Sequence, residues 1–221
     1  MNYGQIHSII SRLGLSEYSH EIMQAIKPSV RMALHPAQEQ ELALGCTKFG
    51  GNPDLPASFQ WPVDGDEAFS FLFQLNLLEL AAYNIDSPLP QEGILSFFIN
   101  PATLLSEEQH LHSHARAFHF TGTDSLVRRE PPLAAKAGYP TSSTTYLTEL
   151  TLPPAESSFA VRLGFDYAQP TELVNYQGLL TQLNASCDPS EQPYHRIGGY
   201  PDQLQGDLER RASAMSAMFG V

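Results

Sequence analysis

Phe69-Ser70-Phe71-Leu72-Phe73-Gln74-Leu75-Asn76 is the stretch that decides the fold class. Its apolar and polar residues alternate with a period of two, the signature of a half-buried strand. Phe69, Phe71, Phe73 and Leu75 are expected on one face, with Ser70, Gln74 and Asn76 on the other. Residues 93–99 (GILSFFI) are apolar enough to predict a strand buried on both faces. Shorter β-rich segments at 30–34, 115–121, 144–152 and 158–163 alternate with Pro, Gly, Asn and Asp, as strands and turns do.

Helices are expected only toward the ends. Ile6, Ile9, Ile10 and Leu13 recur at helical spacing until Gly14. Ser16 suits the cap of a second helix carrying Ile22, Ala25 and Ile26, which Pro28 stops. A later helix is predicted over 171–185, with Leu173, Leu179, Leu180 and Leu183 on its apolar side, and a last one over 208–219. Nothing resembling a linker divides the chain. The expectation is a single domain over 1–221, α+β and mainly β: a compact roll-like mixed sheet with helices at the N-terminus and near the C-terminus.

Two loops share one pattern. Gly50-Gly51-Asn52-Pro53-Asp54-Leu55 recurs as Gly198-Gly199-Tyr200-Pro201-Asp202-Gln203. Paired glycines permit positive φ, proline fixes the next φ, and the aspartate can lock the turn through backbone N–H groups. The repeat predicts two halves related by approximate two-fold symmetry.

Phe49 to Pro56, with Phe59-Gln60-Trp61-Pro62 after it, resembles the first signature of the bacterial YwqG-like family. Residues 71–77 and 89–98 are similar to that family's next two strands, and Ile197 to Asp202 with Gln205-Gly206-Asp207 resembles its second signature. The resemblance implies a compact, mainly β domain of unknown function, with no established activity or cofactor. Toxin–immunity associations of some members imply a binding role. Family members continue past the second signature with a further Gln-bearing strand. Here fourteen residues follow Asp207, so a variant ending or a shortened reading frame is expected.

Several groups are candidates for chemistry. If the two Gly-Gly loops meet, Asp54, Asp202, Gln205, Asp207 and Arg196 line one cleft, with Gln74 and Asn76 on its floor and Trp61 on its wall. Turn chemistry alone also explains Gly50, Gly51, Pro53, Gly198, Gly199 and Pro201. Neither loop is followed by the Lys-Ser or Lys-Thr of a phosphate-binding loop. His110, His112 and His114 share one face of an extended segment, but their spacing suits a polar edge better than a metal centre, and no metal or other cofactor is expected. Cys187, with Asp188 and His195 nearby, lacks the surroundings of a known nucleophile motif, and Cys46 has no such partners in sequence. The remaining aromatics read as core, and Arg128-Arg129 as a solvated edge.

Composition narrows the function classes. The 221 residues hold 24 acids and 12 bases, a net charge of −12, with only three lysines. This excludes binding through a nucleic-acid backbone or to an anionic membrane surface, both of which need clustered bases. Residues 1–6 lack a basic start and an apolar run, so no signal peptide is expected, and a cytoplasmic protein with reduced thiols is predicted. Between Phe49 and Ala115 there is no Lys or Arg, against nine Asp and Glu. The leading expectation is a non-enzymatic interaction module, immunity-type, with an acidic face for a cationic protein partner. The alternatives are a small-molecule-binding or hydrolytic enzyme using the cleft, or a repeat that is purely architectural. Oligomeric state is not readable from the chain.

Overall fold

The computed structural model describes residues 1–83, 85, 88–101, 115–122, 125–135, 138–165, 170–184 and 194–201. The chain divides into two compact units, Met1–Arg31 with Leu147–Val221, and Met32–Tyr146. Two long strands, β1 (Lys27–Pro36) and β10 (Ser142–Thr151), run through both boundaries. The protein is mainly β, with a large antiparallel sheet and helices at the N-terminus and near the C-terminus.

In the first unit, α1 (Tyr3–Arg12) begins at Asn2, whose side chain accepts from Gln5 N while Gln5 returns a bond to Asn2 N, a capping box not foreseen in the sequence. Ser16 does not cap a helix as expected. A 3₁₀ turn over Ser16–Tyr18 leads into the short α2 (Ser19–Gln24). The segment at 158–163 is a helix and not a strand. Ser157 caps α4 (Ser158–Arg162) through Ala160 N, and Gly164, at φ 78°, ends the turn. The longest of the described helices, α5 (Pro170–Asn184), buries Tyr176, Leu179 and Leu183 against Ile6, Ile10, Leu15, Ile22 and Phe165. Tyr176 joins the expected Leu173, Leu179, Leu180 and Leu183 on the inner face, and its hydroxyl donates to Pro153 O at 2.8 Å. β11 (Tyr194–Gly198) lies beside β1, which lies beside β10.

In the second unit the order continues from β10 to β2 (Lys48–Phe49), β6 (Ser70–Asn76), β7 (Ile94–Ile99) and β8 (Ala115–Phe120). Each of these neighbouring pairs is antiparallel. Two small pairs accompany them, β3 (Asp54–Pro56) with β9 (Leu126–Arg128), and β4 (Val63–Asp64) with β5 (Glu67–Ala68). The short α3 (Leu77–Ala81) starts from Asn76, whose side chain accepts from Leu78 N.

The strand that decides the fold breaks its own alternation. Phe71 pairs with Phe98 and Phe73 with Phe97, so Leu72 is one residue more than β7 can match. This bulge rotates the remainder of the strand by one position. Phe71 therefore shares a face with Gln74 and Asn76, opposite Ser96 and Ile94, and not with Phe73 and Leu75. Phe69 and Phe71 pack with Leu55 and Phe98, while Phe73 stacks between Phe49 and Phe97 at centroid distances of 4.8 and 4.2 Å. β7 is not buried on both faces either. Ile94, Ser96 and Phe98 are fully buried, whereas Leu95, Phe97 and Ile99 are half-buried.

Candidate functional site

The bulge turns Gln74 into the interior, and the first signature loop closes over it. Gly50 and Gly51 have φ of 60° and 66°, the left-handed region where a β-carbon is strained. A β-carbon on Gly50 would overlap the backbone at Tyr139 and Pro140, and one on Gly51 would overlap Glu39 Oε2 and Thr141 Oγ1. Gly50 N donates to the carbonyl of the bulged Leu72 at 2.8 Å, and Gly51 N to Tyr139 O at 2.9 Å. The loop thus delivers Asp54 to the interior at the start of β3, fully buried.

Four ionised side chains meet there. Lys48 Nζ, also fully buried, lies 2.7 Å from Glu39 Oε1 and 3.4 Å from Asp54 Oδ1. Arg128, on β9 opposite Asp54, brings Nε to 2.8 Å from Asp54 Oδ1 and 3.2 Å from Glu39 Oε1. Its Nη1 donates to Glu39 O and its Nη2 to Leu42 O. Asp54 Oδ2 accepts from Gly45 N at 2.9 Å and Gln74 Nε2 at 3.0 Å, and Glu39 Oε2 accepts from Asn52 N and Thr141 Oγ1, each at 3.0 Å. Two cations and two anions make the quartet neutral.

Burial alone would raise the pKa of Asp54, since it penalises the charged form. The Arg128 bond, the Gly45 N–H, the Lys48 charge and the Gln74 amide outweigh it and hold the carboxyl below its ordinary value. Glu39 is likewise held low, against its own desolvation, by Lys48, Asn52 N–H and Thr141. Arg128 is raised, chiefly by its bond to Asp54. Burial pushes the half-buried Cys46 thiol up, an effect the nearby Lys48 charge only partly offsets, so it is a poor nucleophile. The shifts of Asp54, Glu39 and Arg128 all favour a fixed, permanently paired network.

The second signature copies the backbone and changes the side chains. Gly198 and Gly199 have φ of 72° and 67°. A β-carbon on Gly199 would press on Thr151 Oγ1 and Ser29 Cβ. Two residues before the first glycine stands Lys48 in one copy and Arg196 in the other. Arg196 and Arg31 share the carboxylate of Glu149, the Arg31 Nη2 distance being 2.6 Å, and Ser29 Oγ donates to the same group at 2.9 Å. Desolvation pushes Glu149 up, but the Arg196 bond and charge dominate and keep it low. Beside this loop a pocket of about 290 Å³ is lined by Thr151, Gln177, Thr181, Arg196, Tyr200 and Pro201, among others. Among its described lining residues there is no histidine or cysteine.

Of the residues singled out in the sequence, Asp54 and Gln74 are brought into contact, and Asn76 sits next to them, its Nδ2 donating to Gly45 O at 2.9 Å. Trp61 belongs to the aromatic core, 5.3 Å from the Phe98 ring, with Nε1 donating to Phe69 O. Arg196 is in the Glu149 network. Asp202, Gln205, Asp207, Cys187, the three alternating histidines and the helix expected over 208–219 lie outside the described residues. Among the described residues no group of three His, Cys, Asp or Glu is placed to hold a metal, and no helix is long and apolar enough to cross a membrane. Arg128 is not a solvated edge: it anchors the quartet, while Arg129 Nη1 donates to Phe59 O. Sequence reasoning misses Lys48, Glu39, Arg31 and Glu149. The basic residue shared two positions before each glycine pair is the signal that places Lys48 beside Arg196.

The first signature loop folds inward over the Asp54 quartet, and the second lies beside the Glu149 ion pairs. A family profile described as "Domain of unknown function (DUF1963)" matches residues 47–219, and the chain belongs to that family. No curated protein matches the chain.

Proposed function

We propose that the protein is a non-enzymatic interaction module whose second unit presents an acidic surface to a cationic protein partner. One observation carries this reading. The second unit holds thirteen acidic and five basic residues; Glu39 and Asp54 neutralise Lys48 and Arg128 inside, which leaves eleven acids against three bases elsewhere in the unit. Glu41, Asp64, Asp66, Glu92 and Glu130 are exposed. Such an excess attracts basic proteins over a Debye length of about 8–10 Å and speeds their association. An immunity-type role, masking a basic toxin in the cytoplasm, fits this chemistry. The test is capture by the tagged full chain at about 50 and 500 mM salt. The reading predicts partners of high isoelectric point that salt releases. Enrichment of nothing, or retention indifferent to salt, defeats it.

A further inference from the structure

Among the described residues of the first unit, Arg12, Lys27 and Arg162 stand apart from the ion-pair networks. Arg31 and Arg196 are engaged by Glu149, and Arg12 donates to Gln182. Lys27 and Arg162 form no ion pair with any described carboxylate, in a chain with twice as many acids as bases. Both line one concavity of about 140 Å³, together with Pro153, Ser157, Phe159 and Tyr200.

Each cation rests on an aromatic ring. Lys27 Nζ lies 4.3 Å from the centre of the Tyr200 ring, and Arg162 Cζ lies 6.0 Å from that of Phe159. A ring face attracts a cation without cancelling its charge, so it orients the group and leaves its field intact. The backbone beneath is fixed. Thr151 Oγ1 donates to Lys27 O at 2.9 Å and accepts from Tyr200 N at 3.1 Å, so one hydroxyl ties the two residues side by side. On the other wall, the Ser157 hydroxyl donates to Pro154 O and caps the helix that carries Phe159 and Arg162. Tyr200 occupies the variable position of the second signature, where the first copy has Asn52, whose backbone N–H donates to Glu39 Oε2.

We infer that this concavity is a binding site for a phosphate-sized oxyanion, held between the Lys27 ammonium and the Arg162 guanidinium. The guanidinium fork suits two phosphate oxygens, and the lysine supplies a point charge. The volume is too small for a nucleotide and suits a phosphoryl group with at most a short organic body. The proline and aromatic walls give such a body an apolar surface. The site is independent of the acidic surface of the second unit, and either can fail without the other.

The experiment is a titration of the full chain near pH 7.5 with inorganic phosphate and, in a separate arm, phenyl phosphate, against chloride at matched ionic strength. Saturable one-to-one phosphate binding is expected. Tighter binding of phenyl phosphate assigns the site to a phosphomonoester, and equal binding assigns it to the free ion. Lys27→Gln and Arg162→Gln should each weaken binding at least fivefold and the double variant abolish it, while Arg12→Gln leaves it unchanged. As a check that needs no variant, amide shifts on phosphate addition should concentrate at Lys27, Ser158, Phe159, Arg162 and Tyr200. Chloride competing as well as phosphate, a double variant that binds normally, Arg12→Gln losing binding equally, or shifts scattered over the surface would each overturn the site.

Discussion

Asp54→Asn removes one charge from the quartet at almost unchanged volume. Five donors converge on the Asp54 oxygens: Lys48 Nζ and Arg128 Nε on Oδ1, and Gly45 N, Gln74 Nε2 and Arg128 Nη2 on Oδ2. An asparagine amide has one oxygen and one NH₂ group, so in either orientation it sets a donor against at least two donors. It also leaves Lys48 and Arg128 facing Glu39 alone, with Lys48 fully buried. Breaking a buried ion network in this way costs about 3–5 kcal/mol, a large share of the ~5–15 kcal/mol that holds a domain together. The sole tryptophan, Trp61, lies in the same unit, so urea unfolding followed by its fluorescence reports the right event. With a urea slope of about 2 kcal/mol per molar, the midpoint should fall by roughly 1.5–2.5 M. The pH dependence has a definite sign. The folded-state pKa of Asp54 lies below its ordinary value of 3.8, so its contribution is fully present above that pH and is lost as pH falls through the folded value. The gap between wild type and variant should therefore narrow below about pH 4. A loss under ~1 kcal/mol at pH 7, or a gap constant from pH 7 to pH 3, would refute the quartet as the keystone of the second unit.

Gly51→Ala should destabilise the second unit by more than about 2 kcal/mol in the same assay, because positive φ costs ~1–2 kcal/mol and Glu39 must also move. Gly65→Ala, at φ 58° with nothing within 4 Å, should show the φ cost alone, and equal losses at both sites would contradict the loop packing. Glu149→Gln removes the carboxylate that Arg31 and Arg196 share and should lower the first unit's stability by about 3–5 kcal/mol, read by chemical denaturation. In a Cys187→Ser background, Cys46 should react with a disulfide reagent at pH 8 more slowly than free cysteine, and reaction at or above the free rate would show that burial does not shield the thiol.

How much of this the sequence revealed depended on whether a residue obeys local rules. Phe69 to Asn76 announced a strand, and Gly-Gly-x-Pro-Asp announced two turns of like conformation, because period and backbone permissiveness are local properties. The bulge at Leu72 was invisible, since it depends on which residue of β7 stands opposite. Without it, Gln74 belongs on the polar face and the quartet has no floor. Glu39 and Arg128 were equally hidden: they lie 15 residues before and 74 after Asp54, and only the pairing of β3 with β9 brings Arg128 to it. The segment at 158–163 misled because Phe and Val suit a strand, whereas the cap at Ser157 decides for a helix. Composition was the most durable guide. The acid excess of the second unit persists after the structure accounts for the paired charges.

The acidic-surface reading is tested most directly by comparing two forms of the protein in partner capture at about 50 mM salt. One carries Glu41→Gln, Asp64→Asn, Asp66→Asn, Glu92→Gln and Glu130→Gln, which are exposed positions; the other is wild type with its buried quartet and acidic surface intact. The account predicts that the fivefold variant keeps the wild-type unfolding midpoint and loses most of the captured basic protein. Retention of that protein at wild-type levels by a folded variant would contradict it.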